Sequence, residues 1–127
     1  MRVLLDTHAF LWWVSDDPQL TARARTTIQG AEDVFLSVAC CWEMAIKISL
    51  GKLQLAQPIE RFVSEQLLAN EFTLLPIGLD ETGRAARFPF HHRDPFDRLL
   101  AAQALEQKLT VVSADPLFRK YGVKRAW

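Results

Sequence analysis

Two short and mainly apolar segments near opposite ends of the chain each end at an acidic residue. Val3–Leu5 is stopped by Asp6, and the segment LTVVSAD ends at Asp115. An uninterrupted apolar run of this length is typical of a parallel strand that is covered on both faces. The sequence therefore predicts a buried parallel sheet with acidic residues at the carboxyl ends of its strands.

Strands and helices alternate along the rest of the chain. Further strands are predicted at Val34–Leu36, in FTLLPI and in the tail YGVKRAW. Helices are predicted at Thr7–Val14, from a Thr21 cap to Gly30, from a Ser37 cap to Leu50, from Pro58 onward, over 80–88, and from Asp94 to Lys108. This alternation predicts an α/β sandwich, with a mostly parallel central sheet flanked by helices. With 127 residues, half of them apolar, the chain fits one domain spanning 1–127.

Composition limits the partners and the compartment. Fifteen basic and fifteen acidic residues cancel, so a polyanion would have to bind a local patch. The adjacent Cys40 and Cys41 lie in an apolar helical stretch, which favours two reduced thiols over a disulfide. No apolar run approaches the roughly 18 residues of a membrane span, and no segment resembles a signal peptide. We expect a soluble, cytoplasmic protein with no membrane partner.

Four acidic residues can meet at one rim of the predicted sheet. Asp6 and Asp115 end strands, Asp97 lies in the first turn of the helix before the second of these strands, and Glu43 lies in the helix after Val34–Leu36. Ligands of open parallel sheets bind beyond the carboxyl ends of the strands. Buried carboxylates need partners or a cation, and oxygen ligands suit Mg²⁺ or Mn²⁺. The pattern indicates a metal-dependent hydrolase.

Each of three acids also has a purely structural interpretation. Asp97 could close a capping box with Asp94, and Asp115 could simply cap the turn that follows it. Glu43 and Lys47 are four residues apart and could form a solvent-exposed ion pair. From the residues alone, these alternatives stay open.

The combination of segments resembles a known family. LLDTHAFLWW, WEMAIKISLGKL, HHRDPFDRLLAAQAL and LTVVSADPLFRKYGV are similar to the PIN-domain family and, within it, to the VapC-type ribonuclease toxins of toxin–antitoxin operons. The resemblance covers essentially the whole chain and implies a PIN-like three-layer sandwich. The acids of the family pattern map onto Asp6, Glu43, Asp97 and Asp115, with the neighbouring hydroxyls of Thr7 and Ser113 lining the site.

The resemblance also implies an activity and partners. The protein would bind Mg²⁺ or Mn²⁺ and cleave the phosphodiester backbone of RNA with a metal-activated water. Asp6 and Asp97, rather than Asp94, would be the core metal ligands, while Glu43 and Asp115 would hold a second cation or act through water. A small VapB-like antitoxin would silence the enzyme, which would be a homodimer.

RNA binding requires cationic side chains near the acids. The candidates are Lys47, Lys52, Arg93 and Arg98, although any one of them could equally belong to an ordinary solvated face. Trp42 could stack on bases, but a role in the core or in a subunit interface is the more usual one for so large a side chain.

Two other classes compete with the ribonuclease interpretation. A catalytically silent PIN-like module that binds RNA or protein could retain the acids without turnover. A PIN-type DNA nuclease would use the same metal chemistry on a different polymer. Metal-dependent RNA cleavage would distinguish the enzyme from the module.

Overall fold

The apolar run at the start of the chain forms the central strand of the sheet. β1 (Arg2–Leu5) pairs in parallel with β2 (Asp33–Ser37) on one side and with β4 (Thr110–Val112) on the other. β3 (Thr73–Leu75) pairs with β2, and β5 (Arg125–Ala126) pairs with β4, again in parallel. The strand order is β3-β2-β1-β4-β5. The computed structural model describes residues 1–127.

Helices connect the strands and flank the sheet. They are α1 (Thr7–Val14), α2 (Ala22–Gly30), α3 (Val38–Ser49), α4 (Ile59–Asn70), α5 (Leu79–Arg87), α6 (Pro95–Gln107) and a 3-10 helix (Pro116–Tyr121). This arrangement confirms the predicted PIN-like α/β sandwich, and the sheet is parallel throughout. None of the helices combines the length and the apolar character needed to cross a membrane.

Capping side chains explain why two of the helices near the acids begin where the sequence predicted. The Ser37 hydroxyl accepts a hydrogen bond from the N–H of Ala39 (3.0 Å) at the start of α3. The Asp94 carboxylate accepts one from the N–H of Phe96 (2.8 Å) at the start of α6. Beyond the end of α3, Gly51 has a φ of +73°, which a glycine adopts without strain. These local signals fix the positions of the helices that carry Glu43 and Asp97.

The strand order reverses beside β1. From β1 the chain proceeds to β2 and β3 on one side, and only later reaches β4 and β5 on the other. The carboxyl ends of β1 and β4 are adjacent, because Leu5 is in register with Val112 and the N–H of Asp6 donates a hydrogen bond to the Val112 carbonyl (3.2 Å). Such a switch point is where open parallel sheets bind ligands.

Two local expectations differ from the structure. β3 covers only the middle of FTLLPI, and it ends before Pro76, which has no N–H to donate to a strand ladder. Trp42 is not part of the core of the single chain, where 62% of it is exposed. The reason is that α3 buries a narrower face than its composition suggests, made of Ala39, Cys40 and Met44.

Candidate active site

Asp6 lies directly beyond β1 and caps α1. Its carboxylate accepts a hydrogen bond from the N–H of Ala9 (2.8 Å). Burial raises the pKa of Asp6, and hydrogen bonds from Ser113 and Ala9 partly oppose that rise. The end of the strand and the start of the helix together hold this carboxylate at the rim of the sheet.

Glu43 faces inward from α3, and both of its carboxylate oxygens have partners. The Thr7 hydroxyl donates a hydrogen bond to Oε1 (2.5 Å), and the Lys47 ammonium lies 3.1 Å from Oε2. Only 15% of the Glu43 side chain is exposed. The predicted ion pair with Lys47 is therefore present, but it is not an isolated pair on a solvated surface.

Asp97 lies in the first turn of α6, where Asp94 already caps the helix. The Asp97 side chain is half-buried among other acids. Burial and the nearby carboxylate of Asp94 raise the pKa of Asp97 to about 7, with smaller contributions from Asp6 and Glu43, while His92 lowers it. The surroundings of Asp97 thus disfavour its charged form, first because the side chain is partly buried and second because other acids lie nearby.

Asp115 follows β4 and caps the 3-10 helix. Its Oδ1 accepts a hydrogen bond from the N–H of Leu117 (2.9 Å), and its Oδ2 lies 2.7 Å from Nε2 of His92. The hydroxyl of the buried Ser113 accepts a hydrogen bond from the N–H of Asp115 (3.0 Å), and Ser113 also opposes the rise in the pKa of Asp6. Ser113 thereby acts on the acids that follow β1 and β4. The cap expected for Asp115 exists, but it engages only one of the two carboxylate oxygens.

The four predicted acids open onto one cavity of about 380 Å³ at the switch point. Both predicted hydroxyl residues, Thr7 and Ser113, also line it. Its complete lining is Asp6, Thr7, His8, Glu43, Lys47, Asp94, Asp97, Ser113, Ala114 and Asp115. The structure thus brings together residues that are separated by more than a hundred positions in the chain.

The donor set of this cavity fits a hard divalent cation. Five carboxylates face a single lysine in the lining, and their oxygens are the ligands that Mg²⁺ and Mn²⁺ prefer. Burial and, after it, the neighbouring carboxylates raise the pKa of Asp97, and a bound cation would favour the charged form of this acid. One group of potential ligand atoms, from His92, Asp97 and Asp115, lies within 4.8 Å of one another.

Local sequence patterns do not mark His92 as part of the site. Its ring is buried, stacks on Tyr121 with an interplanar angle of 7°, and lies 5.2 Å from the ring of Phe118. Adjacent histidines in a loop are ordinarily exposed, and no local pattern in HHRDPF indicates that one of them is buried. The contact that buries His92 joins residues 29 positions apart.

Arg98 does not have the exposed position that RNA binding requires. Its buried guanidinium donates hydrogen bonds to the carbonyls of Ala85 (2.7 Å), Pro89 (2.9 Å) and Phe88 (3.1 Å). It also lies 4.2 Å from the centroid of the Phe90 ring. The predicted RNA contact is therefore corrected to a structural role, because the loop before α6 folds over this side chain.

The three other predicted cations lie beside the acids. A groove of about 450 Å³ is lined by Lys47, Lys52 and Arg93. It shares Glu43, Lys47 and Asp94 with the lining of the acidic cavity. Apolar side chains complete the groove, namely Ile46, Leu50, Pro95 and Phe96. The acidic cavity thus continues into a surface that carries positive charge.

Known proteins share this architecture. Over 120 residues the chain is 28% identical to the protein named Ribonuclease VapC22 of Mycobacterium tuberculosis, covering 94% of this chain and 91% of that protein. Its fold is similar to the crystal structure of FitAcB from Neisseria gonorrhoeae, with 22% identity, a TM-score of 0.67, and coverage of 97% and 95% of the two chains.

A third similarity is to the crystal structure of VapBC2 from Rickettsia felis bound to a DNA fragment from their promoter. Identity there is 13%, the TM-score is 0.66, and coverage is 98% of this chain and 97% of that one. At these identities the solved structures support the fold. A family model described as PIN domain matches residues 3–124, which is nearly the full chain. The chain belongs to the PIN domain family.

Proposed function

We propose that this protein is a VapC-type, metal-dependent endoribonuclease that hydrolyses RNA phosphodiester bonds. The observation that carries the proposal is the meeting of Asp6, Glu43, Asp97 and Asp115 in one cavity at the switch point of the sheet. Membership of the PIN domain family and the similarity to a protein named as a ribonuclease support it.

Mg²⁺ or Mn²⁺ would be held by the carboxylates of the cavity. Asp6 and Asp97 are the proposed core ligands, and Glu43 and Asp115 complete the site through a second cation or through water. When bound, a divalent cation supplies an acidified water and positive charge against the developing charge on the phosphate.

The protein's own groups prepare the site for this chemistry. Thr7 and Lys47 each fix one oxygen of Glu43, and the Ser113 hydroxyl accepts the N–H of Asp115. Bonds of this kind hold ligating carboxylates in position before a cation or substrate arrives. Because the acids repel a polyanion, RNA must be held by cations at the edge of the cavity and beyond it.

The groove lined by Lys47, Lys52 and Arg93, called the basic groove below, is the proposed path of the RNA strand next to the scissile phosphate. Lys47, Lys52 and Arg93 supply charge for phosphates, and the apolar side chains of Ile46 and Phe96 offer contact surface for bases. The basic groove is continuous with the acidic cavity. The phosphate next to the RNA segment bound in the groove would therefore lie at the acids. Arg98 is not part of this binding surface, because its side chain is buried.

Two partners belong to the proposal: a second copy of the chain and a small VapB-like antitoxin. An exposed apolar surface is available for protein contact on α3 and its neighbours. Trp42 is largely exposed, and a groove of about 260 Å³ beside it is lined by Val38, Cys41, Ile59 and Val63 among others. Exposed apolar patches of this kind often mark protein interfaces. Light scattering of the purified chain, with and without the antitoxin, would measure the stoichiometry.

The activity is tested by incubating the purified protein with a mixed structured RNA and with DNA of matching sequence. Each is assayed with Mg²⁺, with Mn²⁺ and with a chelator, beside Asp6→Asn prepared identically. We expect cation-dependent cutting of RNA that the variant lacks; asparagine can still cap α1, so the fold should persist. Cutting of DNA alone would indicate a DNA nuclease, and cutting of neither would indicate a binding module.

A further inference from the structure

We propose that His92 is a positioning residue that holds the Asp115 carboxylate in its orientation toward the acidic cavity. The inference rests on the proposed function of that cavity and adds a residue from outside its lining. It is carried by the hydrogen bonds on both ring nitrogens of His92 and by the burial of its ring.

The ring of His92 is held from three directions. Its backbone N–H donates a hydrogen bond to the Tyr121 hydroxyl oxygen (3.0 Å), and its Nδ1 lies 2.9 Å from the same oxygen. Its faces are packed against Tyr121 and Phe118. The remaining ring nitrogen, Nε2, lies 2.7 Å from Oδ2 of Asp115. A ring with so many contacts has little freedom to turn.

The carboxylate beside Nε2 requires a proton on that nitrogen. A carboxylate oxygen only accepts, so Nε2 donates the 2.7 Å hydrogen bond to Oδ2 of Asp115. The Tyr121 hydroxyl can both accept and donate, so it serves as the partner of Nδ1 while it also accepts the His92 N–H. The same Nε2 cannot donate this hydrogen bond and ligate a cation. His92 therefore acts through Asp115, although its ring nitrogen lies among possible ligand atoms.

The consequence is a carboxylate that is restrained at both oxygens. Oδ1 of Asp115 accepts the Leu117 N–H, and Oδ2 accepts from His92. Each oxygen keeps a lone pair that can face the cavity. Removing such an outer partner of a ligating group typically weakens metal affinity about 10- to 100-fold.

Mn²⁺ alone is the first probe. Its dissociation constant is measured by calorimetry for the wild-type protein, His92→Phe and His92→Gln, along with the melting temperature of each without added metal. Phenylalanine keeps a ring in the buried position but cannot donate, whereas the glutamine amide can reach Asp115. We expect about 10-fold or greater loss of Mn²⁺ affinity in the first variant and substantial recovery in the second. The proposal would be overturned if His92→Phe bound Mn²⁺ with wild-type affinity. It would also be overturned if both variants lost Mn²⁺ affinity equally and lost thermal stability equally.

A double-mutant cycle with Asp115→Asn separates a direct role from an indirect one. If His92 acts through Asp115, His92→Phe should change Mn²⁺ affinity less than about 2-fold in the Asp115→Asn background, because interacting residues are not additive. A full additional loss in that background would instead make His92 a ligand in its own right and would reject the positioning role.

The ring proton provides a readout that depends on neither metal nor RNA. The ¹⁵N chemical shifts of the His92 ring should show a proton on Nε2, and Tyr121→Phe should change the chemical shift of Nδ1, which loses its partner. A ring with no proton on Nε2 in the wild-type protein would overturn the proposal. If the wild-type protein cleaves no RNA, the proposed function fails, while these shifts and the Mn²⁺ affinities still decide the role of His92.

Discussion

The Thr7 hydroxyl donates a 2.5 Å hydrogen bond to Oε1 of Glu43 and so ties the first residue of α1 to the second turn of α3. Thr7 is buried and follows Asp6 directly, so the same short segment supplies one acid and restrains another. Lys47 holds the other oxygen of Glu43. The orientation of this acid therefore depends on the end of β1.

We expect Thr7→Val to lower RNA cleavage without disrupting the fold. Valine preserves the volume of threonine but cannot donate, so Glu43 loses one restraint while Lys47 still binds it. By analogy with other partners of ligating groups, the loss in kcat/KM should be about 10-fold or more. Thr7→Ser retains the hydroxyl and is the matched control. If the valine variant cleaves RNA at the wild-type rate, the hydrogen bond has no functional role.

The pKa of Asp97 predicts how stability without metal changes with pH. The pKa is raised from its ordinary 3.8 to about 7 in the folded protein, so between these values the folded chain holds a proton that the unfolded chain has released. The favourable contribution of this proton to the free energy of unfolding is complete at low pH and is lost as the pH rises through about 7. Asp97→Asn should therefore stabilise the metal-free protein at pH 8 by about 1 kcal/mol after allowance for solvent screening.

Thermal unfolding in the presence of chelator measures this difference. The gain in melting temperature from Asp97→Asn should be largest at pH 8 and should shrink toward pH 5. Asp80→Asn, at an exposed acid in the first turn of α5, serves as the control and should show no such trend. A gain in melting temperature from Asp97→Asn that is independent of pH would contradict the raised pKa of Asp97.

The basic groove is tested by the salt dependence of RNA binding. Lys52→Ala and Arg93→Ala should each weaken binding and reduce the slope of log affinity against log salt by about 0.7, the value for one phosphate contact on a single strand. Arg23→Ala removes an exposed arginine on α2 that does not line the groove. Equal slopes for all three variants and the wild-type protein would place the RNA elsewhere.

Arg98 should affect stability far more than RNA binding. Arg98→Met keeps an apolar stem but leaves the carbonyls of Ala85, Phe88 and Pro89 without their shared donor. We expect a loss of about 2–3 kcal/mol in the free energy of unfolding, measured by denaturant titration. The salt slope of RNA binding by the folded variant should equal that of the wild-type protein. A reduced slope with unchanged stability would restore the RNA-binding prediction.

The sequence predicted those features that depend on neighbouring residues. Apolar runs that end at Asp6 and Asp115 identify strand ends, and the Ser37 and Asp94 caps locate two helices, so the rim of acids follows from local signals. The positions of His92 and Arg98 could not be predicted from the sequence for a common reason. Their surroundings come from the loop between α5 and α6 and from Tyr121, and the contacts that bury them are not encoded in any local periodicity.

The central claim is that the four acids form a single cation-dependent site for RNA cleavage. The most direct measurement compares cleavage rates in Mn²⁺ for Asp6→Asn, Glu43→Gln, Asp97→Asn and Asp115→Asn with those of the wild-type protein and Asp80→Asn. Each of the four should lose at least about 100-fold in rate, as removal of a charge-stabilising group commonly does, while Asp80→Asn should retain the wild-type rate. Undiminished cleavage by any of the four, with the same cation requirement, would contradict the role assigned to that acid; undiminished cleavage by all of them would place the active site elsewhere.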